Sequence, residues 1–135
     1  MPVTTIITPY GYRCEVISPL TAAEARIWFD DIKRIATKRR SYCQLIDLRK
    51  TGTHPSDTSA VIQDIMKWNM ANGLQRSAIV LSGAVMKMQI ARMTRETAAA
   101  SYERFFDPSS DPNWERKAMA WLERGVEGPL KPTPR

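Results

Sequence analysis

The residues best placed to do chemistry lie between Asp47 and Ala60. Asp47 and Arg49 close the apolar segment Gln44-Leu45-Ile46-Asp47-Leu48-Arg49, and Asp57-Thr58-Ser59-Ala60 follow at the start of a helical pattern. In an α/β domain this junction is where free backbone N–H groups and the helix dipole hold phosphates, small ligands or partners. Two roles fit Asp57, Thr58 and Ser59. As caps they satisfy the open N–H groups of the first turn, an effect worth about 1 kcal/mol. As a regulatory hydroxyl, Thr58 or Ser59 would carry a phosphate that the dipole favours and that changes the charge of a docking surface. Capping is the commoner role of these residue types and is the expectation here.

Other reactive residues are sparse. His54, the single histidine, shares the loop with Asp47 and Asp57. A general base needs a positioned partner as well as a suitable pKa. With no separate nucleophile or second histidine, a solvated loop histidine is expected. Cys14 and Cys43 have no CxxC spacing and read as buried reduced thiols of a cytosolic protein, too few with one histidine for a structural zinc site. Ser82-Gly83, after a second apolar strand, reads as a strand-to-helix turn brought near Arg49 to Ser59 by parallel topology. Neither GxGxxG nor GxxxxGK occurs, so no nucleotide loop is expected. No cofactor and no enzymatic activity are expected.

The elements that must position these residues alternate. Thr4 to Thr8 and Tyr12 to Ser18 read as a hairpin around Pro9-Tyr10-Gly11, with Tyr12, Cys14, Val16 and Ser18 on one face. Thr21-Ala22-Ala23-Glu24 is a capping box opening a helix to about Lys38, with Ala25, Trp28, Phe29, Ile32, Ile35 and Ala36 as its apolar stripe. Tyr42 to Leu48 suits a central strand buried on both faces. Asp57 to Ala71 is a second helix, closed by Asn72-Gly73. Ser77 to Leu81 is a strand, Ala84 to Ala99 a helix, and Tyr102 to Phe106 a short strand. Asp111 before Pro112 reads as the N-cap of a fourth helix ending at Arg124. Gly125 to Arg135 reads as a loose tail, leaving one domain over residues 1–124. The fold class is α/β, a mixed sheet of about five strands with four helices in the order ββαβαβαβα.

The chain has 135 residues and a net charge of +6, much of it at Lys33, Arg34, Lys38, Arg39 and Arg40. Cations there complement a helix C-terminus, and only Tyr42 lies near them, so no base-stacking platform and no specific nucleic-acid partner are expected. No apolar run approaches the ~20 residues that span a bilayer, and no export signal is read at the N-terminus. Met66, Met70, Met86, Met88, Met93 and Met119 are expected to fill irregular core space. Alternatively Met86, Met88 and Met93, beside Lys87, Arg92 and Arg95, edge an apolar pocket or a basic docking surface.

Four segments together resemble the STAS domain, and more closely its SpoIIAA-like branch, which is related to CRAL-TRIO-type folds. They are Val16-Ile17-Ser18 before Thr21-Ala22-Ala23-Glu24, the strand Leu45-Ile46-Asp47-Leu48, the strand Ala78-Ile79-Val80-Leu81, and Phe105-Phe106-Asp107 followed by Ala118-Met119-Ala120-Trp121-Leu122. In the anti-sigma-factor antagonists of that group a strand ending in Asp-Leu leads to an Asp-Ser-Ser-Gly turn whose hydroxyl is phosphorylated. The resemblance places Thr58 at the phosphoacceptor position, with Ala60 in place of the glycine and a longer loop before it. It implies a cytoplasmic, non-enzymatic regulatory or protein-interaction module. Its surface would comprise Arg49, Asp57, Thr58, Ser59, Ser82 and Gly83, and a homodimer is compatible with it. The runner-up is a carrier or sensor of a lipid-like apolar small molecule.

Overall fold

Six residues on each side of a two-residue turn pair as an antiparallel hairpin, β1 (Val3–Thr8) and β2 (Gly11–Val16). The computed structural model describes residues 2–97 and 102–126; the side chains of Met86, Met93, Thr94, Glu96 and Thr97 lie outside the described set. Gly11 is required by close approach. Its φ is +154°, and a Cβ there would stand 2.0 Å from the carbonyl oxygen of Cys43, where Cys43 N–H donates to the Tyr10 carbonyl at 2.8 Å.

The chain continues as α1 (Ala22–Ala36), β3 (Tyr42–Asp47), α2 (Ser56–Ala71), β4 (Leu74–Val80), α3 (Ala84–Thr97), β5 (Glu103–Phe106) and α4 (Trp114–Arg124). The expected class and element order are therefore observed. The strand order is β1-β2-β3-β4-β5, antiparallel only between β1 and β2. Successive parallel crossovers in one direction carry α1, α2 and α3 to the same face, because each crossover is right-handed. There Trp28 and Ile32 of α1, Val61 and Ile65 of α2 and Ile90 of α3 pack on Tyr12, Cys14, Val16, Ile46 and Ile79. On the opposite face α4 lays Trp114, Ala118, Trp121 and Leu122 over Cys43, Leu45, Ala78 and Val80. All six residues of β3 are buried, as a central strand covered on both faces requires.

Helix ends depart from expectation more than helix bodies. The capping box is present: the Thr21 hydroxyl accepts from Glu24 N–H and the Glu24 carboxylate accepts from Thr21 N–H. Helix α1 stops at Ala36, where Thr37 is the cap. Helix α2 opens one residue before Asp57, with Pro55 at the N-cap and no side-chain cap bond, so Asp57, Thr58 and Ser59 stand in its first turn and do not cap it. Helix α4 opens at Trp114 after Asn113. Asp111 instead accepts from Asn113 N–H at 2.9 Å and holds the preceding turn. Gly125, in the left-handed conformation, closes α4, and Val126 N–H donates to the Ala120 carbonyl, so the fold extends two residues past Arg124. The rest of the expected tail, residues 127–135, lies outside the described residues.

A polar row runs through the three-helix face. Tyr12, Gln44 and Ser77 are in register across β2, β3 and β4. Tyr12 OH donates to Gln44 Oε1 at 2.5 Å, and Gln44 Nε2 donates to Ser77 Oγ at 2.9 Å. Asn69 of α2 accepts from the Tyr42 hydroxyl and points its Nδ2 at Tyr12 OH and Gln44 Oε1, each 3.4 Å away. Burial raises the pKa of both tyrosines, so they stay neutral donors. Asn69→Leu is expected to strand these buried groups and cost about 1–3 kcal/mol. Urea unfolding checks this: the midpoint falls while the slope is unchanged.

Candidate functional site at the carboxyl edge of the sheet

Parallel strands deliver their last residues to one edge, where the loops into the next helices begin. Asp47 ends β3 on the α4 face and is 3% exposed. Its carboxylate accepts from Arg49 Nε at 3.0 and 3.2 Å, from Nη2 at 2.7 Å and from the Arg49 backbone N–H at 3.1 Å. Burial pushes the Asp47 carboxyl up, but the Arg49 hydrogen bonds, its charge and that of Arg13 outweigh it and hold the pKa below the ordinary value. The Arg49 guanidinium lies 4.8 Å from the centre of the Trp114 ring, a cation–π contact that ties the β3 end to α4. Around this pair Lys50 meets Glu15 at 3.6 Å. Lys87 of α3 meets Asp107 beyond β5, and the Asp107 pKa is lowered to about 2 by the Lys87 and Ser109 hydrogen bonds. The edge is thus a frame of paired charges.

Its hydroxyls divide into buried and exposed. Thr58 is fully buried and donates to the Leu20 carbonyl at 2.7 Å. Ser59, also buried, faces Gln89 Nε2 of α3 at 3.4 Å. The Thr58 oxygen therefore points into the fold, and the phosphoacceptor position expected for it does not match an accessible hydroxyl. Ser56, the first residue of α2, is the exposed hydroxyl of this turn. Asp57, Ser82 and Gly83 are exposed as well. Val85 and Met88 stand 68% and 72% exposed on α3, bordering an open groove with Thr53, Arg92 and Arg95. Met88 therefore does not fill core space; Met86 and Met93 have side chains outside the described set.

His54 is buried, contrary to the expectation of a solvated loop residue. Its Nδ1 accepts from Leu20 N–H at 3.1 Å, which places the proton of the neutral ring on Nε2. Its backbone N–H and carbonyl both meet the Gln89 amide, at 3.4 and 3.2 Å. The two backbone groups of Leu20 are thus satisfied by two side chains, His54 and Thr58. The signal in the sequence was slight: a polar residue preceding proline in a loop that must return under α3. His54 also lines an enclosed cavity of about 50 Å³ with Gln44, Asn69, Ile65, Ile79 and Ile90. Ligand sites run to roughly 300–1,000 Å³, so this space does not hold an acyl chain. Cys14 and Cys43 are buried and unpaired. Burial raises both thiols, Cys14 to about 11, which leaves neither as a nucleophile at neutral pH.

Burial also lowers the His54 pKa. The unfolded chain then binds the extra proton first, because its histidine titrates near 6.5. Stability is full above that value and falls as pH drops through it toward the lower folded pKa. His54→Gln is expected to remove this slope, read as urea midpoints between pH 7.5 and 5. Thr58→Val is expected to cost about 1–3 kcal/mol through the unmet Leu20 carbonyl, read in the same titration at pH 7.5.

Comparison of the chain with protein-family models, with curated proteins and with solved structures finds no match.

Proposed function

We propose that the chain is a non-enzymatic regulatory or protein-interaction module of the STAS type, docking its partner at the carboxyl edge of the sheet. The observation that carries this reading is the division of that edge. Asp47, Arg49, Glu15, Lys50, Lys87 and Asp107 form a pre-paired rigid frame, while Asp57, Ser82, Gly83 and Val85 stand exposed around it. Rigid framing with exposed polar and apolar groups suits recognition, because little order is lost on binding. The catalytic alternative has no such support. The Nδ1 of His54 is occupied by a backbone donor, and the Asp47 carboxylate is committed to Arg49.

If the module is switched by a kinase, the acceptor on this surface is an exposed serine, Ser56 or Ser82, rather than Thr58, since only an exposed hydroxyl can enter a kinase active site. The exposed start of α2 also suits phosphate through its open N–H groups and dipole. The carrier reading finds less support, the enclosed cavity being small.

Co-purification with chemical crosslinking tests the proposal. A protein partner captured by the wild-type chain is expected to be lost from an Asp57→Lys/Val85→Glu variant that keeps the wild-type unfolding midpoint. An unchanged partner set in that variant, or a bound amphiphile seen by native mass spectrometry in place of any partner, would count against it. Phosphate mapped to Thr58 in the folded protein would contradict the site geometry.

A further inference from the structure

We infer that the chain forms a two-fold homodimer in which β1 pairs with β1 of a second copy, joining two sheets into one of ten strands. β1 is the end strand of the sheet. Its sequence, Val-Thr-Thr-Ile-Ile-Thr, is β-branched throughout and carries no charge and no proline. Soluble proteins normally blunt such an edge with lysine, proline or a bulge. Here Ile6 and Ile7 are instead 56% and 70% exposed.

The occupant is argued from symmetry and charge. A two-fold axis perpendicular to the sheet makes the β1 pair antiparallel and keeps the helical faces together, so opposed residues must share a face. The register that places Ile6 against Ile6 of the second copy also places Ile7 against Thr5, and no charged side chains meet. Helix α1 lies over β1 and β2. The two copies of α1 therefore run antiparallel, roughly two strand spacings or ~10 Å apart, at the outer limit of direct helix packing.

The flank of α1 that faces this axis is the one away from α2. Arg26, Phe29 and Lys33 border the groove shared with α2, so helical spacing assigns Glu24, Ile27, Asp31 and Ile35 to the other side; Lys38 follows in the turn beyond the helix, its N–H on the Ile35 carbonyl at 3.3 Å. Ile27 is 48% exposed there. The flank is acidic at its start and basic at its end. Asp31 meets Arg34 of its own helix, which neutralises the two Asp31 carboxylates that come together when an antiparallel copy brings Lys38 toward Glu24 of its partner. A parallel copy would oppose like charges. Lys38 thus finds a counter-charge in Glu24 at the start of a second α1.

Sedimentation velocity of the full chain from ~5 to 200 µM is expected to show a concentration-dependent dimer. Ile6→Lys places like charges directly opposite each other and is expected to raise the dissociation constant at least roughly tenfold. Ile6 is exposed, so the unfolding midpoint should hold at concentrations where both chains are monomeric. Ile6→Cys is expected to form an intermolecular disulfide under mild oxidation, because directly opposed residues lie within disulfide reach. Ile7→Cys should not, since it faces Thr5. A wild-type chain monomeric at 200 µM, a dimer indifferent to Ile6→Lys, or crosslinking equal at the two cysteine positions would overturn the inference.

Discussion

The register of β2, β3 and β4 governs the molecule, and one row of polar side chains sets it. Tyr12, Gln44 and Ser77 share that row, and Asn69 of α2 closes it from above. A slip of one residue would turn each of these polar groups to the other face, into the apolar layer under α4. It would also leave buried donors and acceptors unmet, at about 1–3 kcal/mol each. The carboxyl edge inherits its geometry from this row. Asp47 lies three residues beyond Gln44 on the same strand, so it emerges on the α4 face, where Arg49 folds back over Trp114.

Leu20 is the second point on which the edge depends. It sits between β2 and α1, outside any ladder, and its N–H and carbonyl are buried. His54 and Thr58 meet them. Loop residues before α2 are thereby tied to the loop before α1, and Gln89 ties the same loop to α3. A hydroxyl and an imidazole that look like reactive groups in isolation are spent on backbone satisfaction. Asp57, Ser82, Gly83 and Val85 stay exposed on the carboxyl edge.

The two edges of the sheet differ in how they treat unsatisfied groups. β5 is followed by a turn in which Asp107 accepts from Ser109 and Lys87. On β1, Val3 is buried while Ile6 and Ile7 are exposed, and the Thr8 carbonyl accepts from Arg39 Nη1 at 3.4 Å.

Much of the architecture was legible in the sequence because it rests on local periodicity. Alternation at Tyr12, Cys14 and Val16, the three-and-four spacing of Ala25, Trp28 and Ile32, and the capping box at Thr21 each depend on residues within a few positions of one another. The element order and the parallel sheet followed from them. What the sequence could not resolve was which polar groups turn inward. Thr58 and Ser59 carry the residue types of caps, and His54 those of a solvated loop, but Pro55 starts α2 early and rotates Thr58 toward Leu20. Leu20 is 38 positions away in the chain, and no local rule reaches that far. Local chemistry decided the elements; long-range contact decided which hydroxyls, rings and charges stay at the surface.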